Sequence, residues 1–389
     1  MDDIVNLKKN KFRKRLKLWS PLVIGAVLGI LIFALDILPA YYLQDASGWV
    51  IIQVLLVVTL ATVASIIVAV TVHELGHLFF GLVTGYSFSS FSVGPFNWYK
   101  QDGRIRFTFS PKPVVGQCLM APPKNKQNFE FILYNLGGVI FGVVPCLVLW
   151  IAILISDHSF LVLIGLGVAL LLNIVVVISN ALPITSAEAP TDGANIREAL
   201  QSKEAIHAFY IQLYINHEIS TGKRFSDFDY KKEIKVKDDA DVSNYLVAWT
   251  VLAEADYWLD CGNTEKALEL WNRIDIEALP PAYRRAVNLD LLYYYTCHAP
   301  DAEKAKEIYE KDGIKLMLSL PLPTSLRYRA AYEFFVLGEK DTGREMLAKA
   351  KAAAYNLPSK GIHIMEMDYL STLGALMNET ENKIVNPHN

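Results

Sequence analysis

The stretch "TVHELGHLFFGLVTGY", residues 71 to 86, sets two imidazoles and a carboxylate at the end of a long apolar run. Residues four apart share one face of a helix, so His73 and His77 can offer two nitrogens to a single metal ion. Glu74 stands beside them, placed to take a proton from a water that the metal activates. This is the HExxH pattern of zinc hydrolases, in which the glutamate is the general base. Within a membrane helix an ionisable group costs ~2.5–3.5 kcal/mol on insertion scales, so unused ones are rare. That cost favours metal ligation over satisfied core polar residues or a chance match.

Catalytic zinc takes three protein ligands and keeps one position open, so a third ligand must come from elsewhere. "NALPITSAEAPTDGANI", residues 180 to 196, follows the last apolar run. Asp192, followed by Gly193, offers a carboxylate at a turn. Glu188 is the rival oxygen ligand. Asp192 could instead cap a helix opening at "GANIREAL".

The elements that must position these groups are membrane spans. Of the 389 residues 52% are hydrophobic, high for a soluble chain, and they crowd into the first 183 positions. A helix crosses a bilayer with ~20 apolar residues, and four stretches qualify: about 21–43, 50–80, 131–155 and 160–182. Lys and Arg mark the inner side. "KKNKFRKRLK" (8 to 17) precedes the first stretch, and 82–130 carries Lys100, Arg104, Arg106, Lys112, Lys124 and Lys126. The links "YYLQDASGW" (41 to 49) and "SDHS" (156 to 159) carry no Lys or Arg. Both termini are therefore expected in the cytosol, with His73, His77 and Asp192 on that same side. A basic run beside a span reads as a lipid anchor, and a net charge of -3 gives no sign of a nucleic-acid partner. The four cysteines form no CxxC pair, which leaves free thiols in a reducing compartment.

These residues resemble the site-2 protease family of intramembrane zinc metalloproteases. That family has a three-span core, with HExxH on the first core span and Asn-x-x-Pro…Asp-Gly at the end of the third. This chain has "HELGH" at 73 to 77, Asn180 and Pro183 in "NALP", and Asp192-Gly193. "FSVGP" (91 to 95) and "PVVGQCLM" (113 to 120) are similar to the stretch between the first two core spans. The gap from Asn180 to Asp192 is longer than in the family pattern, and "YNLGGVIFG" keeps Gly137 and Gly138 without the family's proline; Asn135 is the candidate stand-in for its asparagine. The resemblance implies Zn2+ held by His73, His77 and Asp192, with Glu74 catalytic and Asn180 supporting substrate or ligands.

A membrane-embedded substrate has its backbone locked in helical hydrogen bonds. "YSFSSFSVG" and "RIRFTFS" flank "KQDG", the second alternates from Arg104 to Phe109, and period two around Asp-Gly predicts a β-hairpin in 86–111. An exposed edge there could pair with an unwound substrate, or the hairpin could simply lie at the membrane surface.

The remainder reads as helical. "EKALELWNRI" (265 to 274) and "EKAKEIYEKD" (303 to 312) align at a 38-residue offset, and "TGREMLAKAK" (342 to 351) follows. This resembles degenerate tetratricopeptide repeats, whose stacked helix pairs hold peptides or protein partners. The expected fold is mainly α: a polytopic membrane helix bundle of about four spans, with a small β-hairpin between spans 2 and 3, plus a cytosolic α-helical repeat domain. The expected domains are a basic N-terminus (1–20), a transmembrane zinc-protease domain (21–196), a helical linker (197–243) and the repeats (244–380).

The expected function is hydrolysis of a peptide bond in a membrane-embedded or membrane-proximal peptide near the cytosolic face, in a multi-pass protein of a bacterial-type cell membrane. The lipid bilayer, the substrate and a protein or peptide on the repeats are the expected partners. A membrane scaffold of little or no activity is the alternative. A metal-ion transporter would need more polar groups in successive spans than Asn135 and Asn173 supply.

Overall fold

The computed structural model describes residues 48–101, 103–109, 116–125, 129–156, 159–186, 189–355, 357 and 359–385. The expected first span, 21–43, and the rival ligand Glu188 lie outside the described residues. The chain divides into two compact units: Met1–Tyr99 with Arg106–Arg197, and Lys100–Ile105 with Glu198–Asn389.

In the first unit, three described helices are long and apolar enough to cross a membrane: α1 (Gly48–Val83), α2 (Phe131–Ile155) and α3 (Phe160–Ala181). None carries a charged residue in its apolar window beyond the HExxH group. Most of their large side chains face outward: Leu55, Leu60, Ile67, Leu147, Ile151 and Val162 are all exposed, as helices in lipid require. The 36 residues of α1 rise about 54 Å, well beyond the ~30 Å hydrocarbon layer, and HExxH falls in its last third.

Between lipid-facing helices there is little hydrophobic drive, so close packing needs small residues. At Gly76 a Cβ would lie 2.1 Å from the Gly137 carbonyl oxygen, and at Gly137 one would lie 2.5 Å from that of Gly76. These two glycines let α1 and α2 cross backbone to backbone beside the metal motif.

Between α1 and α2 lies a four-stranded sheet: β1 (Ser87–Val93), β2 (Phe96–Gln101), β3 (Arg104–Phe109) and β4 (Gly116–Ala121). Its order is β3-β2-β1-β4, and β1 pairs antiparallel with both β2 and β4. This extends the expected hairpin: β2 and β3 are the neighbours on either side of 102–103, and the partner strand differs from the expected one. The strand 87–93 does not pair with 104–109, because "FNWYKQ" forms a strand between them. The chain turns first at Gly94, whose φ of +52° suits glycine. Residues 96–101, which the sequence reading assigned to no strand, alternate well enough to be one once neighbours flank them. On β2 and β3, Phe96, Trp98, Phe107 and Phe109 form one exposed aromatic cluster.

After α3 comes a turn and the short helix α4 (Asp192–Ala199). Thr191 shapes that turn. Its hydroxyl donates to the Leu182 carbonyl at 2.6 Å and accepts from the Ala194 N–H at 3.3 Å, while its N–H donates to the Ile184 carbonyl. Thr191 is therefore the capping residue.

In the second unit the stretch read as linker holds the helix α5 (Lys203–Thr221), which buries Phe209, Tyr210, Leu213 and Ile215. Three helix pairs follow: α6 (Tyr245–Asp260) with α7 (Thr264–Trp271), α8 (Pro281–Tyr293) with α9 (Ala302–Tyr309), and, after α10 (Ile314–Ser319), α11 (Pro323–Ala331) with α12 (Lys340–Ala354). The second helices of the pairs open at Thr264, Ala302 and Lys340, which is the 38-residue spacing seen in the sequence. Asn263 and Asp301 cap two of them through their side chains. Trp271, Tyr294, Tyr328, Tyr332 and Phe334 are buried, so these aromatics are core. A final helix α13 (Lys360–Val385) packs Leu370, Leu373 and Met377 against Leu347 and Ala350 of α12.

Candidate metal centre

His73, Glu74 and His77 are all buried, in the last third of α1. The helix places His77 Nε2 3.1 Å from His73 Nε2. Asp192, the first residue of α4, brings Oδ2 to 3.1 Å from His73 Nε2 and 3.4 Å from His77 Nε2. The three atoms form a nearly equilateral triangle. Zinc bonds of ~2.0–2.1 Å in a tetrahedron require ligand atoms ~3.3 Å apart, so the spacing fits the ion.

The hydrogen bonding points the same way. His77 Nδ1 lies 2.8 Å from the Tyr134 carbonyl oxygen. A carbonyl can only accept, so Nδ1 carries the proton and Nε2 presents its lone pair. This backbone partner fixes tautomer and ring orientation, as in most histidine metal sites. Asp192 Oδ2 is buried without a hydrogen-bond partner although two imidazoles adjoin it. A buried carboxylate oxygen left so is costly unless a cation shares it. Among the described residues, this trio is the group of His, Cys, Asp and Glu whose atoms converge as a metal site requires. His73, His77 and Asp192 would hold the ion.

Four features, three of them glycines, shape the surroundings. Gly138 lies flat under His73: a Cβ there would stand 2.4 Å from Cε1 of the ring. Gly116, opening β4, approaches Glu74 so closely that a Cβ would lie 2.8 Å from its Oε1. The Cys118 N–H on the same strand reaches the Glu74 carboxylate, and the Cys118 carbonyl accepts from the Tyr134 hydroxyl at 3.1 Å. The strand beside the base is therefore β4, beyond the segment 86–111 in which the sequence suggested a working edge. Gly193 explains the Asp-Gly pair: its Cβ would fall 2.2 Å from the Ala181 carbonyl oxygen, so only glycine lets α4 start hard against the end of α3.

Residues 61–164 match the model of peptidase family M50. The matched segment belongs to the site-2 protease family. No curated protein and no solved structure matches the chain. The site-2 protease model covers HExxH and ends before Asp192, so the placement of Asp192 beside the histidines rests on the geometry above. With Thr191 capping α4, the Asp192 carboxylate is free of that duty and turned to the histidines. Asn180 donates its amide to the Val176 carbonyl of its own helix at 2.9 Å; no described contact joins it to the trio.

The sequence reading missed the Tyr134 carbonyl, Gly138 and Thr191. A backbone carbonyl leaves no trace in residue type, and Gly138 could be read only as generic helix packing. Thr191 was findable, since Thr before an acidic first turn is a helix-start signal.

Proposed function

We propose that this protein is an intramembrane zinc endopeptidase that hydrolyses a peptide bond in a membrane-embedded or membrane-proximal polypeptide near the cytosolic face. The observation that carries the reading is the triangle of His73, His77 and Asp192 with Glu74 on the same buried helix end. A zinc ion held there would activate water and polarise a peptide carbonyl. Glu74, reached by the Cys118 N–H, is set to take the proton of the attacking water and return it to the leaving amine. Gly116 leaves the space beside Glu74 that a side chain would fill. The substrate segment must unwind before it can be cut, and its freed backbone groups need partners. β4 is an edge strand beside Glu74, and β3 is the opposite edge; strand addition along the sheet would supply those partners. The basic 82–130 segment supports the cytosolic placement, and the helix pairs of the second unit would recruit a protein or peptide partner.

The test is Glu74→Gln in the full-length protein in its native membrane. A protease variant keeps its zinc, loses cleavage and accumulates an uncut polypeptide that wild-type membranes lack. Identical membrane polypeptides in the two strains would instead support a scaffold acting through its helix pairs.

A further inference from the structure

Asn135 is buried at 2% exposure in a membrane-spanning helix. Its amide nitrogen donates to the Phe131 carbonyl at 2.7 Å, one turn back. Its oxygen accepts from Asn195 Nδ2 at 3.4 Å, across to α4. Asn195 stands one turn after Asp192 on that short helix. The neighbouring residue Tyr134 supplies the carbonyl that orients His77. Two consecutive residues of α2 thus touch both halves of the ligand set: Tyr134 the imidazole from α1, Asn135 the helix that carries the carboxylate.

Other hydrogen bonds hold α4 at its two ends, and at its far end the Glu198 carbonyl accepts from the Asn244 amide at 2.9 Å. Thr191 binds the turn 182–184, and Arg197 Nη1 donates to the Pro183 carbonyl at 3.2 Å. These two bonds run to the turn that ends α3. A metal site tolerates ligand errors of only ~0.2 Å, so the eight-residue helix that carries Asp192 gains from a bond to α2, the helix that also orients His77. A buried asparagine is expensive in lipid unless its hydrogen bonds do something, and Asn135 has its cross-helix bond here.

We infer that the Asn135–Asn195 bridge is a positioning device that sets Asp192 against His73 and His77, and so governs zinc affinity from outside the ligand set. Neither residue touches the metal or the reacting atoms. The inference rests on the zinc reading above. Loss of such an outer partner lowers metal affinity roughly 10–100-fold.

The experiment uses the purified full-length protein in detergent, with zinc and cobalt(II) as probes. Asn195→Leu keeps the volume and removes the donor; Asn195→Gln keeps an amide donor. Zinc affinity is read by competition with a chelating dye, and ligand geometry by the visible absorption of the cobalt form. The expected result is roughly 10–100-fold weaker zinc binding and an altered cobalt spectrum for Asn195→Leu, near-native values for Asn195→Gln, and unchanged thermal unfolding of the metal-free protein for both. Wild-type zinc affinity and cobalt spectrum in Asn195→Leu overturn the inference while leaving the protease reading intact. Equal losses in both variants overturn it as well. A wild-type protein that binds no zinc overturns the inference and the protease reading together.

Discussion

Gly138→Ala should disable the metal centre without unfolding the protein. The new methyl would stand 2.4, 2.6 and 2.7 Å from Cε1, Nδ1 and Nε2 of His73. Optimal separations are ~3.5–4.0 Å, so the ring or the helix must retreat by about 1 Å. Zinc sites hold their distances within ~0.2 Å, so His73 can keep its bond only if α1 and α2 separate. Their backbones are locked together at Gly76, one turn after His73, and at Gly137, next to Gly138, which leaves the ring to move. The expected loss in zinc affinity is at least that of an outer-partner mutation, about 10–100-fold. Gly142→Ala is the control, since its methyl would meet only the Val177 Cγ2 at 2.7 Å, a side chain that can turn aside. The assay is zinc competition against a chelating dye on the two purified proteins, with thermal unfolding in detergent alongside. Wild-type zinc affinity in Gly138→Ala would show that the ring does not depend on that space, and the reasoning would fail.

Further expectations follow from the same structure. Gly193→Ala, with its methyl aimed at the Ala181 carbonyl oxygen, should push α4 outward and weaken zinc binding, readable as a changed cobalt spectrum; an unaltered spectrum would refute the tight start of α4. In the second unit, Arg327 and Glu366 form a buried ion pair with Nε 2.7 Å from Oε1, and three tyrosine rings surround the guanidinium. Glu366→Ala strands that charge and should cost about 3–5 kcal/mol, whereas Arg327→Met with Glu366→Leu should recover most of it; calorimetry should show the single variant melting ~10 °C lower, and equal melting of single variant and wild type would count against the pair. Burial raises the Asp290 carboxyl to about 6, held back by the Tyr328 hydroxyl and Arg327 and pushed further by Glu366, with Asp256 raised nearby by burial, Asp290 and Asp260. Unfolded aspartate titrates near ~3.9, so between there and about 6 the folded state holds a proton that the unfolded state has lost, and stability falls as pH rises through that window. Asp290→Asn should flatten this fall and raise the melting temperature at pH 7 relative to wild type more than at pH 5; an unchanged pH slope would contradict it.

The local chemistry was legible in the residues themselves. HExxH needs only the turn of a helix to bring His73 and His77 together, and the apolar runs of 50–80, 131–155 and 160–182 can be nothing but long helices in lipid, because no other backbone satisfies its own hydrogen bonds there. The 38-residue echo likewise marked the second helices of the three pairs, since each must bury the same face in the same way. What residue order could not decide was everything that depends on two distant segments meeting. That Asp192 is not the cap of its helix was decided by Thr191, whose hydroxyl accepts from the Ala194 N–H and leaves the Asp192 carboxylate beside the two imidazoles. The strand 96–101 exists because β1 and β3 flank it, not because of its own residues. The partner of His77 is a carbonyl of Tyr134, 57 positions away, and every residue has a carbonyl. Periodicity is a property of one segment and is written in it; convergence on a metal is a property of several, and exists only once glycines at 76, 137, 138 and 193 let their backbones close.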